Sequence, residues 1–131
     1  GAKGNVAIGW YQYDRVTEPD CGKGNIYIYE SSIFDATSAH PRIETVNASR
    51  RPISKGGICQ GGTGCVASGK DRRLGDYFSV ATDHHGCVII ASGDTMLKDP
   101  ISGGELPTSR PIFIGQSAGT SLTGEDCSQV R

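Results

Sequence analysis

A chain of 131 residues with a formal net charge of −1 has room for one domain and carries no polybasic footprint for nucleic acid. Charged residues at 21% and 19 glycines describe a turn-rich globular protein, not a disordered one. No apolar run approaches the roughly 20 residues of a membrane helix, and no leader segment is recognisable, so an exported protein is expected in processed form.

Residues 5–13 alternate and are rich in Val, Ile, Trp and Tyr, which predicts a strand. Residues 14–24, with Glu18-Pro19-Asp20 and Gly22-x-Gly24, read as a polar connection. A second strand follows over 25–31, with Ile26 and Ile28 on one face and Tyr27 and Tyr29 on the other. Residues 34–40 hold at most a single helical turn, too short to stand alone. Pro41 then opens a third, weaker strand over 42–46. Residues 49–73 lack periodicity, and a connection of that length in a compact domain is functional or pinned. Cys59 and Cys65 are the expected pins.

The clearest structural statement comes next. Two apolar, β-branched and aromatic runs, 77–82 and 87–91, flank Asp83-His84-His85-Gly86. This is a hairpin pattern, with a short Gly-bearing loop between half-buried strands. The second run is apolar at every position, so both of its faces are expected to be covered. A Gly/Pro-rich passage over 96–111 leads to the last strand, 111–116. From Ser117 on the chain is small and polar, a tail tied down by Cys127. No helix of normal length is visible, and the class is all-β.

Five cysteines are present. Cys59 and Cys65 span a Gly-rich loop, which predicts a local disulfide and an oxidising, secreted setting. A metal reading needs a second ligand pair at finger-like spacing, and none follows. Of Cys21, Cys87 and Cys127, one further pair leaves an odd thiol. Asn47-Ala48-Ser49 is an N-glycosylation sequon, which fits a secreted surface.

Leu74-x-Asp76-Tyr77-Phe78-x-Val80-Ala81-x-Asp83-x-x-Gly86, followed by an apolar strand ending in Gly93-Asp94, resembles a blade of sialidase-like (BNR-type) β-propeller proteins. The Cys59–Cys65 loop, Gly4-Asn5-Val6-Ala7-Ile8-Gly9-Trp10-Tyr11 and Gln116-Ser117-Ala118-Gly119-Thr120-Ser121-Leu122 fit the same pattern. The resemblance implies a partial propeller of antiparallel four-stranded blades. Residues 1–48 would be an incomplete first blade, 49–73 a disulfide-bearing loop, 74–118 a second blade and 119–131 a tail. The innermost strand of the first blade has no counterpart, which leaves about one and a half blades where a propeller needs at least about four. The missing strands would come from a preceding segment, another chain or further copies meeting at open β edges. The alternative is a small independent β-sandwich.

Sialidase chemistry needs an arginine cluster for the substrate carboxylate, a Tyr nucleophile with a Glu partner, and an acidic proton donor. Asp76, Tyr77 and Arg110 are the residues of those types near strand starts, and Arg72 and Arg73 lie in a loop nearby. None matches a sialidase catalytic motif, and the Asp-box pattern is missing, so a capped strand start and a packed aromatic are favoured for Asp76 and Tyr77. Asp14, Glu18, Asp20 and Asn25 could offer oxygen ligands to Ca²⁺ from one loop, although no EF-hand spacing exists. His84-His85 reads as a solvated turn pair, because neighbouring side chains point apart. Gly61-Gly62-Thr63-Gly64 lacks the Lys and helix of a phosphate loop, and Ser79 and Ser121 lack a Gly-x-Ser-x-Gly elbow. The expected function is a secreted structural or binding module, suited by its exposed tyrosines to glycan or protein recognition. The alternatives are part of a sialidase-type glycoside hydrolase and a self-assembling extracellular structural protein.

Overall fold

The alternation of apolar residues along the strands becomes two facing surfaces in the computed structural model, which describes residues 2–17, 22–69, 71–74 and 78–130. The first sheet holds β1 (Val6–Tyr13), β2 (Asn25–Phe34) and β3 (Arg42–Asn47) in that order, all antiparallel. A two-residue strand, β4 (Ser54–Lys55), pairs with the start of β2. The second sheet runs β5 (Phe78–Thr82), β6 (Val88–Asp94), β7 (Arg110–Gly115), again antiparallel. The one helix among the described residues, the five-residue α1 (Gly64–Ser68), lies in the disulfide loop. The chain is therefore all-β and sandwich-like.

Period-two alternation sends Ile26, Ile28 and Phe34 of β2 to the same side as Ala7, Tyr11 and Tyr13 of β1. Across from them stand Phe78, Val80, Val88, Ile90, Ile112 and Ile114 of the second sheet. Ile53, Leu74 and Leu122 enter this layer from the connections. Ile28 and Ile53 are fully buried. Burying a side chain of this kind stabilises the fold by about 1.5–3 kcal/mol.

Three expectations need correction. The apolar run of β6 is covered on one face only: Val88 and Ile90 are buried, while Ile89 and Ala91 are half-buried on the outer face. The cover for the inner face comes from within the chain, so this strand does not itself demand a missing blade. Nor is the segment after Ser117 a tail held only by Cys127. Leu122 is in the core, its N–H donates to the Gly86 carbonyl and its own carbonyl accepts from Ala2 N and Asn5 Nδ2. The small polar residues there form tight turns, with Ser121 N donating to the Glu125 carbonyl and Cys127 N to the Gly119 carbonyl. Periodicity is silent about such turn-built packing.

The long connection 49–73 is also more ordered than its sequence suggests. Past Asn47 the chain leaves the sheet: Ala48 N and Ser49 N share the Ile28 carbonyl, and Ile53 N rejoins at the Ile26 carbonyl. The loop between them takes Arg50 through a positive φ of 55°. Thr95 N then donates to the Ile53 carbonyl, so one short stretch is bonded to both sheets.

Candidate functional site

The two sheets meet along one side of the sandwich and stand apart along the other. On the closed side, Gly9 of β1 faces β5 so tightly that a Cβ there would come 2.8 Å from Val80 Cγ2 and 2.9 Å from Phe78 Cζ. Next to it the Tyr11 ring meets Phe78 edge-on, centroids 4.9 Å apart, and its hydroxyl lies 2.8 Å from Ser92 Oγ. Burial raises the Tyr11 pKa above its ordinary value, with the Ser92 bond acting in the opposite direction. On the open side, β3 and β7 border a cleft of about 590 Å³. Val88 and Ile90 form its floor, Val46 and Ile114 its walls, and Phe113, 77% exposed, its lip.

The cleft's polar groups follow from strand parity. Glu30 and Ser32 continue the inward-facing series of Ile26 and Ile28, so β2 carries a carboxyl into the space between the sheets. Glu30 is only 8% exposed, and Ser32 Oγ donates to its Oε1 at 2.8 Å. Burial pushes the Glu30 carboxyl above the usual carboxylate range; the Ser32 bond opposes this and the negative charge of Glu44 adds to it. Glu44 stands opposite Ser32 on β3 and is held by the Arg42 guanidinium, which itself lies over the Phe34 ring at 4.0 Å. Arg50 closes one end. The arrangement presents a buried carboxyl of raised pKa, a second carboxylate and an apolar floor to whatever enters.

The residues singled out in the sequence fall elsewhere. Arg110 is exposed and opens β7 opposite Asp94, and it does not line the cleft. Asp76 and Tyr77 lie outside the described residues, as do Glu18, Asp20 and Cys21. Asp14 and Asn25 do come together, but they bind each other: Asp14 accepts from Asn25 N at 3.1 Å and from Asn25 Nδ2 at 2.9 Å. This closes the β1–β2 hairpin and turns the Asn25 amide nitrogen, not its oxygen, toward the carboxylate. Among the described residues no group of three or more His, Cys, Asp or Glu could hold a metal ion.

Cys59 and Cys65 are joined, Cα atoms 5.8 Å apart, and so are Cys87 and Cys127 at 5.9 Å. Two disulfides are compatible with an extracellular protein. Among the described residues no helix is long and apolar enough to cross a membrane. The His84 and His85 rings sit 3.9 Å apart, and His85 Nδ1 contacts Glu125 Oε2 at 2.8 Å, tying the hairpin loop to the C-terminal turns. Glu30 and Glu44 were not among the sequence candidates. The signal for Glu30 was available, since it shares the parity of Ile26 and Ile28 and is therefore an acid on a core face. For Glu44 nothing local distinguishes a cleft wall from a solvated edge. No protein-family profile, characterised protein or solved structure matches this chain.

Proposed function

We propose that the chain is an extracellular binding module that takes a glycan into the cleft between β3 and β7. The observation that carries this reading is the buried Glu30 carboxyl, hydrogen-bonded to Ser32 and facing a space floored by Val88 and Ile90. A sugar ring has an apolar C–H face and a hydroxyl edge, which suits an apolar floor with a few placed carboxyl groups. The volume is within the range of about 300–1,000 Å³ common for ligand pockets. The two disulfides support the extracellular setting. The wider setting, a sialidase-like propeller completed by another segment or by further copies, rests on the blade-like motifs of residues 74–94. In that setting the partners would add to the edges of β1 and β5, which have no second strand neighbour among the described residues.

The test is titration of the isotope-labelled protein with neutral and acidic oligosaccharides. Shifts should concentrate on Val46, Val88, Ile90 and Ile114, and Val46→Arg, which fills the cleft mouth, should abolish them. If no saccharide moves these signals, the glycan reading falls.

The Glu30–Glu44 pair favours one second reading, a glycoside hydrolase with Glu30 as proton donor. Turnover of a glycoside that Glu30→Gln removes would select it over simple binding.

A further inference from the structure

The outer face of the first sheet carries a row of three side chains. Trp10 of β1 stands directly opposite Tyr29 of β2, and Tyr29 directly opposite Asn47 of β3. The Trp10 and Tyr29 rings stack, centroids 6.0 Å apart at 22°. Parity places Asn47 on this face: Glu44, Val46 and Ala48 turn toward the cleft and core, whereas Thr45 touches Ser31 on the outside, hydroxyls 2.6 Å apart. Beside the row, Val6, Ile8 and Ile43 leave 43%, 48% and 58% of their surface in water.

Asn47 is also the acceptor of the sequon Asn47-Ala48-Ser49. The Arg50 N–H donates to Asn47 Oδ1 at 3.0 Å. An N–H can be accepted only by oxygen, so this bond fixes which way the amide is turned. Nδ2 then points away from the loop with no hydrogen-bond partner among the described residues. Among the described residues the nitrogen that a glycan would occupy is thus free, and it stands beside a half-buried aromatic pair, Tyr29 and Trp10.

We propose that Asn47 is N-glycosylated and that the first sugars of the glycan lie across Tyr29 and Trp10. The transfer joins Nδ2 to the anomeric carbon of a lipid-diphosphate-linked oligosaccharide. The anomeric C–O bond breaks, the lipid diphosphate leaves with the electron pair, and Nδ2 gives up one proton. Transfer precedes closure of the 48–52 loop, because in the folded chain Ser49 Oγ accepts from Ile28 N and donates to the Arg51 carbonyl. Two strand spacings of about 4.8 Å each separate Asn47 from Trp10, a span that the first two sugars bridge. Their C–H faces stack on the aromatic rings, and their hydroxyls present water with a polar surface where the sheet alone presents an apolar one. The proposal shares with the cleft reading the extracellular setting and Asn47 itself, which ends β3 and also lines the cleft's edge; the platform of Trp10 and Tyr29 is not part of that lining.

The experiment uses the whole chain, secreted from a eukaryotic cell behind a leader. Peptide mapping should find the glycan on Asn47, and Asn47→Gln and Ser49→Ala should lose it. Trp10 is the sole tryptophan, so its fluorescence reports on the platform alone. Enzymatic removal of the glycan from the folded protein should raise acrylamide quenching of Trp10, without needing any variant to fold. A secreted protein with Asn47 unmodified would overturn the proposal. So would a glycosylated protein whose Trp10 quenching is the same before and after removal. Failure of saccharide titration at the cleft would leave this result standing, and the reverse holds equally.

Discussion

Arg51 Nη2 lies 2.6 Å from Oδ2 of Asp94, a carboxylate with no exposed surface at all. The contact links the two halves of the sandwich: Arg51 lies in the loop after β3 of the first sheet, and Asp94 ends β6 of the second. Asp94 Oδ1 is occupied separately, accepting from Met96 N at 2.8 Å and Leu97 N at 3.1 Å. For Oδ2 the guanidinium is the compensating group, in an ion contact that falls outside hydrogen-bond geometry. Arg51 is half exposed and Asp94 is fully buried, so removing the guanidinium strands a buried charge. Arg51→Met should therefore destabilise the fold by about 1–3 kcal/mol, less than a fully buried pair because the guanidinium is half in water, whereas the double variant Arg51→Met/Asp94→Asn should recover part of that loss. Chemical denaturation of the two single variants and the double variant measures the coupling. Additive losses would show that the contact contributes nothing.

The Cys87–Cys127 bridge spans 40 residues and the Cys59–Cys65 bridge spans six. Cross-linking stabilises mainly by restricting the unfolded chain, more so for longer loops. Loss of the longer bridge should cost about 4 kcal/mol and of the shorter about 2 kcal/mol. Thermal melts of Cys127→Ser paired with Cys87→Ser, set against the Cys59→Ser/Cys65→Ser pair, test the order. Equal losses would point to strain or to contacts specific to one site.

Glu30 gives stability a pH dependence of defined sign. Burial raises its folded pKa, so the folded state binds this proton more tightly than the unfolded one. As pH rises from the unfolded carboxylate value through the raised folded value, Glu30 withdraws stability, and above that window the loss is complete. Glu30→Gln keeps an oxygen for Ser32 and carries no charge. Its melting temperature should exceed that of the wild type near neutral pH, and the gain should shrink toward pH about 4, where Glu30 itself is protonated. A gain that is constant with pH would assign the effect to packing.

Gly9→Ala probes the closed side. The added methyl meets Val80 Cγ2 at 2.8 Å and Phe78 Cζ at 2.9 Å, both too close to stand. Overpacking of this kind costs about 1–3 kcal/mol. The expected result is a lower denaturation midpoint with an unchanged denaturant slope. An unaffected midpoint would mean that β1 and β5 separate freely.

Among the described residues, all strands but the two-residue β4, and the β5–β6 hairpin, were legible in the sequence to within about three residues, whereas the pairing of the strands into two facing three-stranded meanders was not. Alternation is a local signal: Ile26, Tyr27, Ile28 and Tyr29 announce their two faces by themselves. The cleft was not legible, because it depends on which side of the sandwich closes. That is decided by Gly9, Tyr11, Phe78 and Val80 meeting across about 70 residues of sequence, a contact that no local pattern carries. Asp94 shows the same limit. Its burial follows from the approach of Arg51, and Gly93-Asp94 in the sequence suggested only a strand end.

The Cys87–Cys127 bond closes a covalent ring around β6, the 96–109 passage, β7 and the turns that follow. An exposed part of that ring is the Asp99 loop, where Ile101 is 95% exposed and Asp99 N donates to the Gly104 carbonyl. A protease that cuts there opens the ring without dividing the molecule. Both new ends stay fastened, one through the strand pairing of β6 and the other through β7 and the bridge. Such a nicked protein keeps its mass, apart from one water, until it is both unfolded and reduced, so a single band on a non-reducing gel does not establish an intact chain.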